Sequence, residues 1–195
     1  MSAQLANRLI DFFAEPGPYS AFLVGGGDWN WRACPDPEWP VFVHRFGAYC
    51  PWNIGNYTLD DAGVSHASTH YWPDDKAECD REGVLWIPVV YPGFSWDNLM
   101  QKPPGTTRIP RRKGQFLWEQ FLRLRELGVD TAYVAMFDEV DEGTAIFKVT
   151  SAPPVEGHFV GYEGLASDAY LQVVREGIAL LRGQREPVAE APVGP

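Results

Sequence analysis

The chain has little cysteine, little positive charge and no long apolar run, and each shortage closes off a class of function. Cys34, Cys50 and Cys79 are widely spaced with no C-x-x-C pair, so neither a zinc ribbon nor a disulfide framework is expected and all three read as free thiols. Lys and Arg number 16 against 26 Asp and Glu, giving a net charge of -10 and a pI near 4.8. Such a chain repels phosphates and anionic lipid heads, and basic residues concentrate only at Arg108 to Lys113, so nucleic acid is not an expected partner. No apolar run approaches the ~20 residues of a membrane span. The opening MSAQLANRLIDFF lacks the charged start and uninterrupted apolar core of a signal peptide, and the chain as written reads as cytoplasmic. There is no G-x-G-x-x-G and no P-loop lysine, so Gly25-Gly26-Gly27 is weak support for a nucleotide site and no cofactor is expected.

What is present fits one globular domain: 195 residues, 45% hydrophobic, a size at which roughly 70% of the unfolded surface can be buried. Aromatics make up 14% of the chain, with eight Trp, several beside Gly, Pro, Asp or Asn rather than inside apolar runs. That placement suits a ligand-lined cleft as well as a core, because indole offers a flat apolar face and a polar edge.

Apolar runs and turn residues set the expected order of elements. Leu5, Leu9, Ile10 and Phe13 repeat at helical spacing until Glu15-Pro16-Gly17-Pro18. Ala21 to Val24, Phe46 to Tyr49, Val84 to Tyr91 and Thr131 to Phe137 read as buried strands, each running into a loop of Gly, Pro, Trp, Asp and Asn. Phe116 to Leu127 and Ser167 to Leu181 read as helices, the first closed by Gly128 and the second opened by Ser167-Asp168. Strands alternating with helices describe an α/β fold with parallel strands. With the polar residues gathered where strands end, the pattern is that of a (β/α) TIM barrel. Four βα units make about half of a (β/α)8 barrel, which typically takes ~250 residues. The barrel segment is expected over 1–182 and a disordered tail over 183–195, where GQREPVAEAPVGP has no apolar period. An open half-barrel has exposed strand edges, so completion by a second copy or by a missing N-terminal half-barrel is expected.

The densest chemistry lies after the last strand, in FDEVDEGTAIF. Asp138, Glu139, Asp141 and Glu142 fall within five positions, and crowding of like charge raises at least one carboxyl pKa. Cleaving an acetal needs one group to protonate the leaving oxygen and another to activate a nucleophile, so Glu139 and Glu142 are candidate catalytic residues. Both face one cleft only if the chain turns after Phe137, which Gly143 permits. A solvated acidic loop or a divalent-cation loop is the competing reading.

FDEVDEGTAI resembles the N-E-W-H-E-G-T-Q-I motif of the endo-α-mannosidases of glycoside hydrolase family 99, and more closely that of bacterial family 71/99-like proteins. Gly26 through Trp31-Arg32, Pro51-Trp52-Asn53-Ile54-Gly55, Tyr91-Pro92-Gly93-Phe94 and Arg111-Arg112-Lys113-Gly114-Gln115-Phe116 agree in order, so the resemblance spans most of positions 5–182. It implies a (β/α)8 barrel fold, of which this chain matches the C-terminal half. It also implies a glycosidase acting with retention through a 1,2-anhydro sugar, with Glu139 assisting the sugar 2-hydroxyl and Glu142 serving as general acid and then base. Asp138, Val140 and Asp141 replace the Asn, Trp and His of those enzymes, and Phe94 follows Pro92-Gly93 where they have Pro-Gly-Tyr, removing a hydroxyl. The pocket beside the acids therefore differs. The expected substrate is a carbohydrate, and the rival from another class is a non-catalytic carbohydrate-binding half-barrel.

Trp29, Trp31, Trp52 and Trp96 follow strand ends, where a ring can stack on a sugar's C–H face, and with Phe94, Asp138 and Asp141 they are candidate substrate-binding residues. Arg32 belongs with them; it and Arg111 either hold a ligand oxygen or pair with nearby acids. His66 and His70, with Asp74 and Asp75 after them, superficially suggest metal, but the segment has no helical period to bring both rings to one face, and no metal is expected.

Overall fold

The triple glycine forms a strand rather than a loop. The computed structural model describes residues 3–193. In chain order its elements are α1 (Ala3–Ala14), β1 (Val24–Asp28), α2 (Glu38–Val43), β2 (Ala48–Trp52), β3 (Tyr57–Leu59), β4 (Ser65–Ala67), α3 (Trp72–Glu82), β5 (Leu85–Trp86), β6 (Val89–Val90), α4 (Gln115–Glu126), β7 (Tyr133–Val134) and α5 (Ala169–Leu181). They fall into two compact units, Met1–Asn53 with His70–Val89, and Ile54–Thr69 with Val90–Pro195.

The first unit is built on a parallel sheet of order β1-β2-β5, in which Val24 pairs with Ala48, Asp28 with Trp52, and Ala48 with Leu85. The expected first strand ended at Val24; the observed one begins there and consumes Gly25 to Gly27. A Cβ on Gly25 would lie 2.4 Å from the Phe46 ring, and one on Gly27 would lie 2.7 Å from the Tyr49 hydroxyl. The missing side chains make room for aromatic rings to lie directly on the strand. Helix α1 forms where its spacing predicted, but it buries Ala6 and Ile10, against Phe42, Leu23, Trp39 and Phe46, and leaves Leu5 and Leu9 exposed.

Two departures follow from single residues. The run Val84 to Tyr91 is not one strand: Pro88 has no N–H to donate, and the pieces on either side join different sheets, Leu85–Trp86 with β2 and Val89–Val90 with β7. Helix α3 had no apolar period to announce it, because its buried stripe is Trp72, Asp75 and Cys79, with an aspartate where an apolar residue is expected. Pro73 in its first turn and Gly83 at its end, with φ of 73°, are ordinary helix boundaries.

In the second unit α4 buries Phe116, Leu117, Trp118, Phe121 and Leu124 and packs on α5, where Gly177 lets the Phe121 ring approach to 2.5 Å of the position a Cβ would take. Buried Gln120 is fully employed: its carbonyl accepts Tyr91 N–H at 3.1 Å and its amide donates to the Tyr91 and Phe116 carbonyls, both at 2.8 Å. β3 and β4 form an antiparallel hairpin. Residues 183–193 have neither helix nor strand. They are tied to α4 by Gln115, which donates to the Ala189 carbonyl and accepts from Ala191 N–H, and by the Trp118 indole, which donates to the Val188 carbonyl. Those polar contacts had no signal in the sequence pattern; the last two residues of the expected tail lie outside the described residues. Among the described residues the strands form one three-stranded parallel sheet and two two-stranded sheets, and no closed barrel is seen.

Candidate functional site

The candidate residues divide between the units. In the first, the sheet's register sets their place: Asp28 and Trp52 are paired at the carboxyl ends of β1 and β2, so Trp52 and the loop carrying Trp29, Trp31 and Arg32 lie at the same sheet edge. Trp29 packs on Tyr71 with ring centroids 4.9 Å apart, and Trp52 is exposed. Trp31 corrects the expectation of a stacking platform. Its ring is 0% exposed, edge-on to Tyr49 and His44, so it offers no face to a ligand and serves the core.

Arg32 is held by acids from α3. Its Nε donates to Asp75 Oδ1 at 2.6 Å, and its Nη2 donates to the Tyr71 carbonyl at 3.4 Å and lies 3.8 Å from Asp74. Asp75 is 1% exposed, and burial lifts its carboxyl to about 6 against the opposing pull of Arg32 and the Trp31 indole. A hollow of about 90 Å³ is lined by Trp29, Asn30, Arg32, Ala33, Tyr71 and Asp75. The Tyr71 hydroxyl donates to buried Asn53, which ends the PWN segment. Tyr71 and Asp75 were missed as site neighbours because α3 itself was missed.

In the second unit the acidic motif folds into a turn after β7, which the chain leaves through a cis peptide between Ala135 and Met136. Gly143 closes the turn with φ of 64°, and its N–H donates to the Val140 carbonyl at 3.2 Å. The Glu139 carbonyl accepts N–H bonds from Thr144 and Ala145, at 3.1 and 2.8 Å, so the turn folds back on its own first glutamate. The Glu139 side chain accepts Asp141 N–H on Oε1 at 3.0 Å. Asp141 accepts from Asn98 Nδ2 at 2.6 Å, while Asn98 Oδ1 accepts His158 N–H. Among the described residues the Glu142 carboxylate has no hydrogen bond or ion pair, and its backbone carbonyl accepts Ser95 N–H at 2.8 Å. Asp138 is exposed.

The segment after Pro92-Gly93 thus touches the motif through Ser95 and Asn98. Phe94 is 8% exposed, in a cluster with Tyr91, Ile109 and Phe116, and its ring meets that of exposed Trp96 at 5.4 Å. The Trp96 loop is organised by Asp97. Burial works against this carboxylate's charge, but bonds from Thr107, Gly105 and Ser95 outweigh it and hold its pKa below the usual range. Arg111, buried at 1% exposure, reaches the motif from the other side, its Nη2 donating to the Gly143 and Ala145 carbonyls, each at 2.8 Å. A cavity of about 650 Å³, largely apolar, lies behind the turn and is lined by Val140, Gly143, Ala145, Phe147, Phe159 and Tyr162 among others; neither Glu139 nor Glu142 lines it.

His66 belongs to a polar cluster of the second unit, 2.9 Å from Glu119 and 3.3 Å from Asp60, while His70 in the first unit sets its ring edge-on to Tyr71. Among the described residues no group of three or more His, Cys, Asp or Glu is arranged to hold a metal ion, the acidic turn included, and no helix is long and apolar enough to cross a membrane.

No family model matches the chain. It is 25% identical over 124 residues to a glycoprotein endo-alpha-1,2-mannosidase-like protein of Danio rerio, a match covering 63% of this chain and 28% of that protein. Its fold is similar to two structures of the family 99 endo-α-mannosidase of Bacteroides thetaiotaomicron. One, in complex with BIS-TRIS-propane, has a TM-score of 0.61 at 16% identity over 94% of this chain and 67% of that one. The other has a TM-score of 0.61 at 17% identity, over 96% and 64%. The chain therefore has the α/β fold of family 99 structures, and it spans about two thirds of those solved chains and little more than a quarter of the curated relative.

Proposed function

We propose that the chain is a glycosidase module that cleaves a glycosidic bond in a glycan with Glu139 and Glu142 as its working carboxylates. The observation that carries the reading is the turn after β7. Glu139 and Glu142 sit on one short backbone loop that is bonded into the surrounding unit, with Glu142 itself unengaged among the described residues. The likeness to endo-α-mannosidases supports an α-mannose-containing substrate.

In this reading Glu139 withdraws the proton of the sugar 2-hydroxyl. The 2-oxygen attacks C1 as Glu142 protonates the departing glycosidic oxygen, giving a 1,2-anhydro sugar. Water then opens the ring at C1, losing a proton to Glu142 while Glu139 returns one to the 2-oxygen, so configuration is retained. The Asp141 N–H on Glu139 Oε1 fixes the direction of that carboxylate. Trp96 would contact the glycan beside this turn, with Asp138 and Asp141 setting a preference different from that of the Asn and His found in the resembling motif; Trp29, Trp52 and Arg32 would offer sugar contacts on the first unit's own sheet edge. The fold would be the C-terminal part of a (β/α)8 barrel, completed by a second copy or by further chain.

The test is incubation with α-mannosyl oligosaccharides and aryl glycosides. The wild-type protein should release product, and Glu142→Gln should lower the rate by about 10²–10⁴-fold without loss of folded protein. An unchanged rate in Glu142→Gln rejects the assignment. A second reading is favoured by the cavity beside the turn, which neither Glu139 nor Glu142 lines: a carbohydrate-binding module without turnover. It predicts glycan binding that survives Glu142→Gln, with no product from either protein.

A further inference from the structure

Arg111 sits where three separated sequence motifs meet. Its guanidinium lies over the packed ring pair of Tyr170 and Tyr162, 4.5 and 5.0 Å from centroids that are themselves 4.6 Å apart, an arrangement that retains a buried cation through its attraction to two rings. Its stem passes over Gly93, where a Cβ would lie 2.7 Å from Arg111 Cγ; the glycine of Tyr91-Pro92-Gly93-Phe94 leaves the room the arginine occupies. Its Nη2 bonds two carbonyls of the acidic motif, those of Gly143 and Ala145, and so clamps the turn immediately after Glu142. The Tyr162 hydroxyl adds bonds to the Ala145 and Phe147 carbonyls, at 3.2 and 2.5 Å. Ser95 N–H on the Glu142 carbonyl holds the turn from the opposite end of the same peptide run.

We propose that Arg111 is a positioning residue, fixing the main chain of the turn that carries Glu139 and Glu142 so that the direction of both carboxylates depends on a group that touches neither. Charge-assisted bonds to two carbonyls are stronger than the neutral bonds elsewhere in the turn. Lysine is a poor substitute, because its compact, strongly hydrated ammonium has no planar, delocalised group to lie over the two rings while one nitrogen reaches both carbonyls. The inference rests on the catalytic reading above for its consequence, but not for its geometry.

The deciding measurement is hydrogen exchange on the full chain, comparing wild type with Arg111→Lys. Amides of the 137–147 segment should exchange at least about tenfold faster in the variant, as expected when about 1.4 kcal/mol or more of local restraint is lost, while α1 and α3 segments stay unchanged. Exchange within twofold of wild type in 137–147, or an equal rise everywhere, overturns the proposal. Should Arg111→Lys not fold, the wild-type chain still decides: the Arg111 Nη hydrogens should give resolved, slowly exchanging NMR signals, and rapidly averaged ones overturn the clamp. With a substrate that wild type cleaves, Arg111→Lys should lower kcat about a hundredfold with KM within about threefold. A wild-type protein that cleaves no glycan sinks the catalytic reading and leaves the exchange result to judge the clamp alone.

Discussion

The two units present their candidate residues by different means. In the first, Trp29 and Arg32 follow β1 and Trp52 ends β2, in a register that puts them on one sheet edge, and side chains hold side chains: Arg32 on Asp75, Trp29 on Tyr71. In the second, β7 is two residues long and cannot set a loop by register; the turn is held through its carbonyls and amides by Ser95, Arg111 and its own hydrogen bonds. The first unit's candidate site should therefore answer to side-chain chemistry, and the second's to backbone geometry.

The largest test of that contrast lies within the first unit. Trp31→Ala should cost about 3–5 kcal/mol of stability as a buried ring is lost. Trp52→Ala, at an exposed position, should stay within about 0.5 kcal/mol and weaken glycan binding instead; denaturant titration and calorimetry separate the two. Equal losses would mean both rings belong to the core.

Next in size is a pH effect. Asp75, raised by burial to about 6, binds its proton more tightly folded than unfolded. Its contribution therefore favours the fold at low pH and is lost as pH rises from about 4 through about 6, by roughly 2–3 kcal/mol. Asp75→Asn has no such proton to lose, so the difference in stability between wild type and variant should change across that window and be flat above pH 7. A difference that does not vary between pH 4 and 6 defeats the expectation.

The smallest test compares two glycines of like backbone. Gly83, with φ of 73°, has open space around a Cβ, whereas at Gly143, with φ of 64°, a Cβ would lie 2.8 Å from Val160 Cγ2 and 3.3 Å from Ser95 N. Alanine at either should cost about 1 kcal/mol for the left-handed conformation. Gly143→Ala should cost about 1 kcal/mol more, with any glycan cleavage falling out of proportion to stability. Matching losses in thermal unfolding would show that the turn has slack.

What could be read in the sequence followed what each feature depends on. The order of the strands and the acidic turn were legible because apolar runs broken by Gly, Pro and Asp are local signals, and Gly143 supplied the turn that FDEVDEG needed; the strand ends were not, since β1 begins at Val24 where it was expected to end. Helix α3 was illegible because Asp75 occupies its buried stripe, an exception explained by Arg32, 43 positions away. Trp29 and Trp31 flank the same Asn30 in sequence, yet one meets Tyr71 beside a hollow and the other is sealed in the core. That difference is set by β2, which places Tyr49 against Trp31. Arg111 was left open between ligand and structural roles, since its acceptors are main-chain carbonyls that no residue type advertises.

A turn fastened by its carbonyls leaves its outward side chains free to vary. Asp138 and Val140 are exposed, and their side chains carry none of the turn's described hydrogen bonds. They are also two of the four positions, with Asp141 and Ala145, at which the motif departs from the one it resembles. On the proposed glycosidase reading, glycan preference would change by exchange of residues there without moving the backbone that carries the two glutamates.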